Sequence, residues 1–106
     1  MTRRREDRKS LAMEALCRTA RDRQHVSVSD ISCRGCRILG DRFDLAVDQR
    51  IVLNFPNFEG LPATVRWSSD KGVGIEFDAP LHASVVDHLC GLYPDESNEL
   101  VASIAA

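Results

Sequence analysis

The chain has 106 residues, 43% of them hydrophobic and 28% charged, which suits one domain around a modest core and excludes multi-domain machinery. No apolar run reaches the roughly 18 residues of a membrane span, and the arginine-rich start is not followed by the apolar stretch of a secretory signal, so the expected location is cytoplasmic. The net charge of −2 conceals a split: residues 1–37 hold ten Lys/Arg against five Asp/Glu (+5), residues 38–106 hold four against eleven (−7), and an anionic partner is expected at one end.

In chain order, residues 1–10 read as a flexible basic arm, 11–93 as the compact unit and 94–106 as a tail without a clear signal. Leu11 to Thr19 is expected as a first strand, Arg21 to Gln24 as a turn, and Val26 to Ile31 as the second strand of a hairpin, with Val26 and Val28 on one face. A third strand is expected over Gly35 to Leu39, then a polar loop from Gly40 to Gln49, then an apolar strand from Arg50 to Phe55. Pro56, Asn57 and Gly60 mark the next turn. Ala63, Val65 and Trp67 alternate with polar residues, and after Ser68 to Gly72 the alternation returns in Val73, Ile75 and Phe77, which predicts two half-buried strands. From Pro80 the period changes. Leu81, Val85, Leu89 and Leu92 recur at helical spacing, with Pro80 suited to a first turn. Six short strands followed by one helix predict a mainly β protein: a six-stranded antiparallel barrel with a C-terminal α-helix on its rim or open end.

Two local features carry chemistry. Arg3, Arg4, Arg5 and Arg8 precede the first strand, and guanidinium forks can hold a phosphate or the Hoogsteen edge of guanine. Taken alone, the run is a solvated basic tail. Asp30-Ile31-Ser32-Cys33-Arg34-Gly35 closes the second strand, and taken alone it is an Asx-type turn in which glycine allows a left-handed conformation or close approach of a bound group. Pairing the first two strands brings the two features together, because the hairpin turn lies at one end and both Arg8 and Asp30 at the other. Arginines can then hold phosphate and the guanine O6/N7 edge while a carboxylate accepts from the N1 and N2 donors.

Arg4-Arg5-Glu6-Asp7-Arg8 is an RxxxR and Asp30 to Gly35 a DxSxxG, and with these motifs the chain resembles the PilZ domain family from about Arg3 to Leu92. The resemblance implies a receptor for the bacterial second messenger cyclic di-GMP, bound on the outside of a six-stranded barrel. Arg4 and Arg8 would hold phosphate and guanine, Asp30, Ser32 and Gly35 would line the base-binding surface, and Arg3 and Arg5 would assist. Arg34 is a further cation within the second motif. Trp67 is placed like the aromatic residue that stacks on guanine in some members, although its alternation with Ala63 and Val65 equally suits a core tryptophan.

Other chemistries fit less well. Cys33 and Cys36 form a C-x-x-C with neither a second close ligand pair nor a helix to open, so Cys36 is expected to pack as a small apolar side chain, with no metal or redox role. His25, His82 and His88 are scattered, and no catalytic constellation can be read; the chain is not expected to be an enzyme or to carry a cofactor besides its ligand. The expected partners are cyclic di-GMP and an unidentified downstream protein, without membrane insertion. The alternatives are an adaptor of the same fold that binds no ligand, and a nucleic-acid-binding small barrel. Low aromatic content, negative net charge and the lack of a basic-aromatic stripe weigh against nucleic acid.

Overall fold

Alternation of apolar and polar side chains builds the first strand, β1 (Lys9–Arg18), with Leu11, Met13, Ala15 and Cys17 all buried. The computed structural model describes residues 8–39 and 45–95. β1 begins earlier than the sequence suggests: Lys9 and Ser10, assigned to the basic arm, pair with Ile31 and Asp30 of β2 (Arg23–Ile31). β3 (Gly35–Leu39) and β4 (Arg50–Phe55) have the expected limits. β5 (Phe58–Ser69) and β6 (Gly72–Phe77) form a long hairpin, and the element order closes with α1 (Ala83–Leu92).

The strands form a closed antiparallel barrel in the order β1-β2-β3-β6-β5-β4. Each half, β1-β2-β3 and β4-β5-β6, is a meander of consecutive strands. Two seams join the halves: β3 pairs with β6 from Gly35↔Glu76 to Ile38↔Val73, and β1 pairs with β4 over three positions, Leu16↔Asn54 to Arg18↔Val52. Closure leaves no free sheet edge along the paired stretches. The interior is filled by inward residues of both halves, among them Val28, Ile31, Ile38, Leu53, Val65 and Val73.

Other sequence expectations change too: the turns expected at Arg21 to Gln24 and Ser68 to Gly72 are shorter, since β2 already holds Arg23 and Gln24, β5 holds Ser68 and Ser69, and β6 holds Gly72. Gly60 does not belong to the turn: Pro56 and Asn57 alone connect β4 to β5, and Gly60 lies within β5 at φ +72°, where its N–H donates to Asn54 Oδ1 at 2.6 Å and the β4–β5 register slips. Leu45, placed in the polar loop, is buried in the core; residues 40–44 of that loop lie outside the described residues. The helix starts after Pro80 and Leu81. His82 is its N-cap, with Nδ1 accepting from the Ser84 N–H at 3.1 Å. Val86 and Leu89 are its buried residues, whereas Leu92 is 50% exposed. The helix ends at Leu92, and Tyr93 packs on the core in its place.

The helix sits at the barrel end where β1 begins and β2 turns into β3. The Leu81 N–H donates to the Cys33 carbonyl at 2.7 Å, and the Ala12 N–H to the Tyr93 carbonyl at 3.0 Å. Ala12 has no partner in the β1–β2 ladder, because β1 carries one extra residue between Ser10 and Met13. Lys9 Nζ meets Asp87 Oδ1 at 2.9 Å and ties the helix to the same strand.

Candidate functional site

Two bulges aim the site. In β2, Val26 and Val28 face inward, and unbroken alternation would send Asp30 after them. The register slips between Val28 and Asp30, so Ile31 is buried and Asp30 faces out. There its carboxylate meets Arg8 Nη2 at 3.0 Å and lies 3.9 Å from Arg37 Nε. Arg8, the last residue of RxxxR, is thus brought into contact with Asp30, the first of DxSxxG, as the hairpin geometry predicts. Arg3, Arg4 and Arg5 lie outside the described residues.

Ser32 and Gly35 serve the turn itself. Ser32 is buried; its N–H donates to the Gly35 carbonyl at 2.8 Å, and its Oγ accepts from the Arg34 N–H at 3.2 Å. Gly35 is needed for close approach of a strand: a side chain there would run into the Ile75 carbonyl of β6. This tight turn leaves Arg34 exposed.

Trp67 settles between its two expected placements by a bulge in β5. Val65 pairs with Ile75 and Trp67 with Gly74, so Arg66 is the extra residue and Trp67 turns to the outer face, where it is 42% exposed. Its indole lies over Gly74, in the space that a Cβ there would occupy. The core-tryptophan expectation is therefore corrected: alternation with Val65 is broken by one inserted residue. A transverse outer row, Asp30↔Arg37↔Gly74↔Trp67, then runs across β2, β3, β6 and β5.

Along this row lies an open cleft of about 240 Å³, with walls from Arg8, Ser32, Arg34, Arg66, Trp67 and Glu76, and with Gly35, Gly74 and Ile75 completing its lining. Three guanidinium groups face it against one carboxylate, which suits an anionic ligand. Arg66 is held by Glu76, hydrogen-bonded to its Nε, and stands 3.8 Å from Asp48. Trp67 supplies a flat apolar surface at the rim. Arg37, Arg66, Gly74 and Glu76 were missed from sequence. Arg37 had a signal, since it alternates outward between Cys36 and Ile38, and Gly74 within a strand hinted at close approach. The bulge that aims Arg66 and Trp67 has no marker in the chain.

The cysteines take no part in this cleft. Cys36 is buried on β3, where loss of hydration pushes its thiol far above the ordinary range, and burial followed by the nearby Asp22 pushes Cys17 up to about 11. No group of three or more His, Cys, Asp or Glu poised for a metal occurs among the described residues.

The PilZ domain family model matches residues 2–91, which include both motifs and every wall of the cleft. The chain belongs to the PilZ domain family. PilZ domains are known as receptor domains for cyclic di-GMP, and they are ligand-binding regulatory domains rather than enzymes. None of the curated proteins matches the chain. Among the described residues no helix of this PilZ domain is long and apolar enough to cross a membrane.

Proposed function

We propose that this PilZ domain is a cytoplasmic receptor for cyclic di-GMP that relays the second-messenger level to a protein partner by closing its N-terminal arginine arm on the ligand. The observation that carries the reading is the Arg8–Asp30 contact of 3.0 Å beside the cleft, which joins the two motifs at one place on the outer face. Asp30 sits between Arg8 and Arg37, so its carboxylate holds one arginine at the start of β1 while guanine N–H donors compete for its oxygens. Arg4 and Arg8 take phosphate and the guanine O6/N7 edge, with Arg3 and Arg5 assisting. Arg34 adds positive charge from the β2–β3 turn, and Trp67 offers a face for base stacking. Ser32 and Gly35 act through the turn they build, presenting backbone to the base. No further cofactor is part of the mechanism.

The energies are sufficient. A bidentate arginine–guanine contact discriminates by about 1–3 kcal/mol, and micromolar affinity corresponds to roughly −8.2 kcal/mol. Gathering the arm costs part of that energy and supplies the change that a partner reads.

Calorimetric titration with cyclic di-GMP tests the proposal. Wild type is expected to bind saturably, and Arg8→Ala and Asp30→Ala, verified as folded, to bind about tenfold or more weakly. Absence of binding by folded wild-type protein leaves the barrel intact and replaces the receptor with a ligand-free adaptor. Ligand protection of the segment around residues 3–8 from limited proteolysis reads the arm; unchanged cleavage at saturation overturns that part.

A further inference from the structure

At the barrel end opposite the cleft, positive charge is left without a partner among the described residues. The β1–β2 hairpin runs roughly 30 Å from the Arg8–Asp30 contact to its turn, at about 3.3 Å per residue. The Thr19 hydroxyl shapes that turn, accepting from the N–H groups of Arg21 and Asp22 at 3.2 Å each. Arg18 and Arg23 stand directly opposite one another in the ladder, where like charges repel most, and Arg21 follows in the turn. All three are exposed, and none makes an ion pair with the described residues. Asp22 is the only carboxylate in the turn, so three positive charges face one negative.

Beside these arginines a groove of about 320 Å³ straddles the β1–β4 seam. β1 leaves β4 after Arg18↔Val52, so among the described residues Ile51 and Arg50 continue β4 without a strand on that side. Ala20, Val52 and Pro62 give the groove an apolar floor, with Arg18 and Arg50 at its rim. Arg50 is already engaged, donating to both oxygens of Asp78 at 2.8 and 2.6 Å. Arg18 is not.

We propose that this groove docks an extended acidic segment of a partner protein, with carboxylates on Arg18, Arg21 and Arg23 and apolar side chains on Ala20, Val52 and Pro62. An unpaired strand edge favours an extended chain, and uncompensated guanidinium groups favour carboxylates. A concave apolar floor fits individual side chains better than a flat bilayer, and none of the described residues that line it is an aromatic that could stack a nucleobase. The surface shares no lining residue with the ligand cleft, and the β1–β2 hairpin and β5 run between the two.

The test is fluorescence anisotropy with a labelled peptide of alternating leucine and glutamate. Wild type is expected to bind it saturably and to bind forms with glutamine for glutamate, or serine for leucine, about tenfold or more weakly. Arg18→Gln/Arg23→Gln is expected to raise Kd by about tenfold or more, and Ala20→Glu, on an exposed turn, to do the same by repulsion. Neither variant should melt below wild type, with relief of the Arg18–Arg23 repulsion favouring the double variant, and cyclic di-GMP titration of both should match wild type. The proposal is overturned by no binding, by equal binding of either control peptide, or by an unchanged Kd in the variants. Tighter binding of a random oligonucleotide or of phosphatidylserine vesicles also overturns it, and identifies the patch as a general anion surface.

Discussion

One hydrogen atom at residue 35 decides whether β3 can reach β6. Any larger substituent at Gly35 meets the Ile75 backbone, which has no room to retreat inside a closed ladder. Gly35→Ala is therefore expected to cost about 1–3 kcal/mol in urea unfolding, the usual range for overpacking. Gly74→Ala meets a side chain instead of backbone, the Trp67 indole, which can swing outward. It should cost less stability than Gly35→Ala and shift the emission of the chain's single tryptophan. Equal destabilisation without a spectral change would contradict the placement of the indole over Gly74. The motif glycine thus matters through strand packing as well as through any ligand, so a binding defect in Gly35→Ala carries meaning only beside a stability measurement.

Between elements, the tie with an acid–base signature joins β4 to the segment after β6. Arg50 donates to both oxygens of Asp78 and, at 3.0 Å, to Thr64 of β5 between them. The hydrogen bonds from Arg50 hold the Asp78 carboxyl below its ordinary value of 3.8. A carboxyl depressed in the native state stabilises fully above its unfolded value and loses that contribution as pH falls through the native one. The stability gap between wild type and Asp78→Asn is therefore expected to be constant near neutrality and to close below about pH 4, as followed by urea titration across acid pH. A gap independent of pH would show that the aspartate acts by shape alone. These strands were legible in the sequence because apolar residues alternate through Leu11–Cys17, Ile51–Phe55 and Val73–Phe77, and because Pro56-Asn57 and Asp70-Lys71 punctuate them. The residue facing of Asp30 and Trp67 was not legible by alternation, since each follows a bulge whose extra residue, Ser29 or Arg66, looks like any other polar strand residue. Helix phase failed for a related reason: Leu81 and Leu92 keep the spacing, but the cap at His82 and the packing of Tyr93 set where the helix begins and stops.

Across the whole molecule, the charge split follows the architecture. The basic stretch, residues 1–37, covers most of the first meander, and the acidic remainder supplies the second. The cleft draws Arg8, Ser32 and Arg34 from one half and Arg66, Trp67 and Glu76 from the other, across the β3–β6 seam. The second groove does the same across the β1–β4 seam, with Arg18 facing Val52. Each meander contains only local pairings, whereas the seams join residues far apart in sequence, such as Leu16 with Asn54 and Gly35 with Glu76. Loop-closure entropy makes such joints the late event in assembly and the early event in opening. Those amides of Leu16 to Arg18 and Val52 to Asn54 that donate across the β1–β4 seam should accordingly exchange with solvent faster than those that donate within the β1–β2 and β5–β6 hairpins, a difference that hydrogen exchange followed by NMR resolves amide by amide. A ligand that touches both halves exists as a bound species only when the ring is shut. Occupancy of the cleft is then also a vote on ring closure, and the unfolding rate of the barrel becomes a clock that runs slower as the concentration of such a ligand rises.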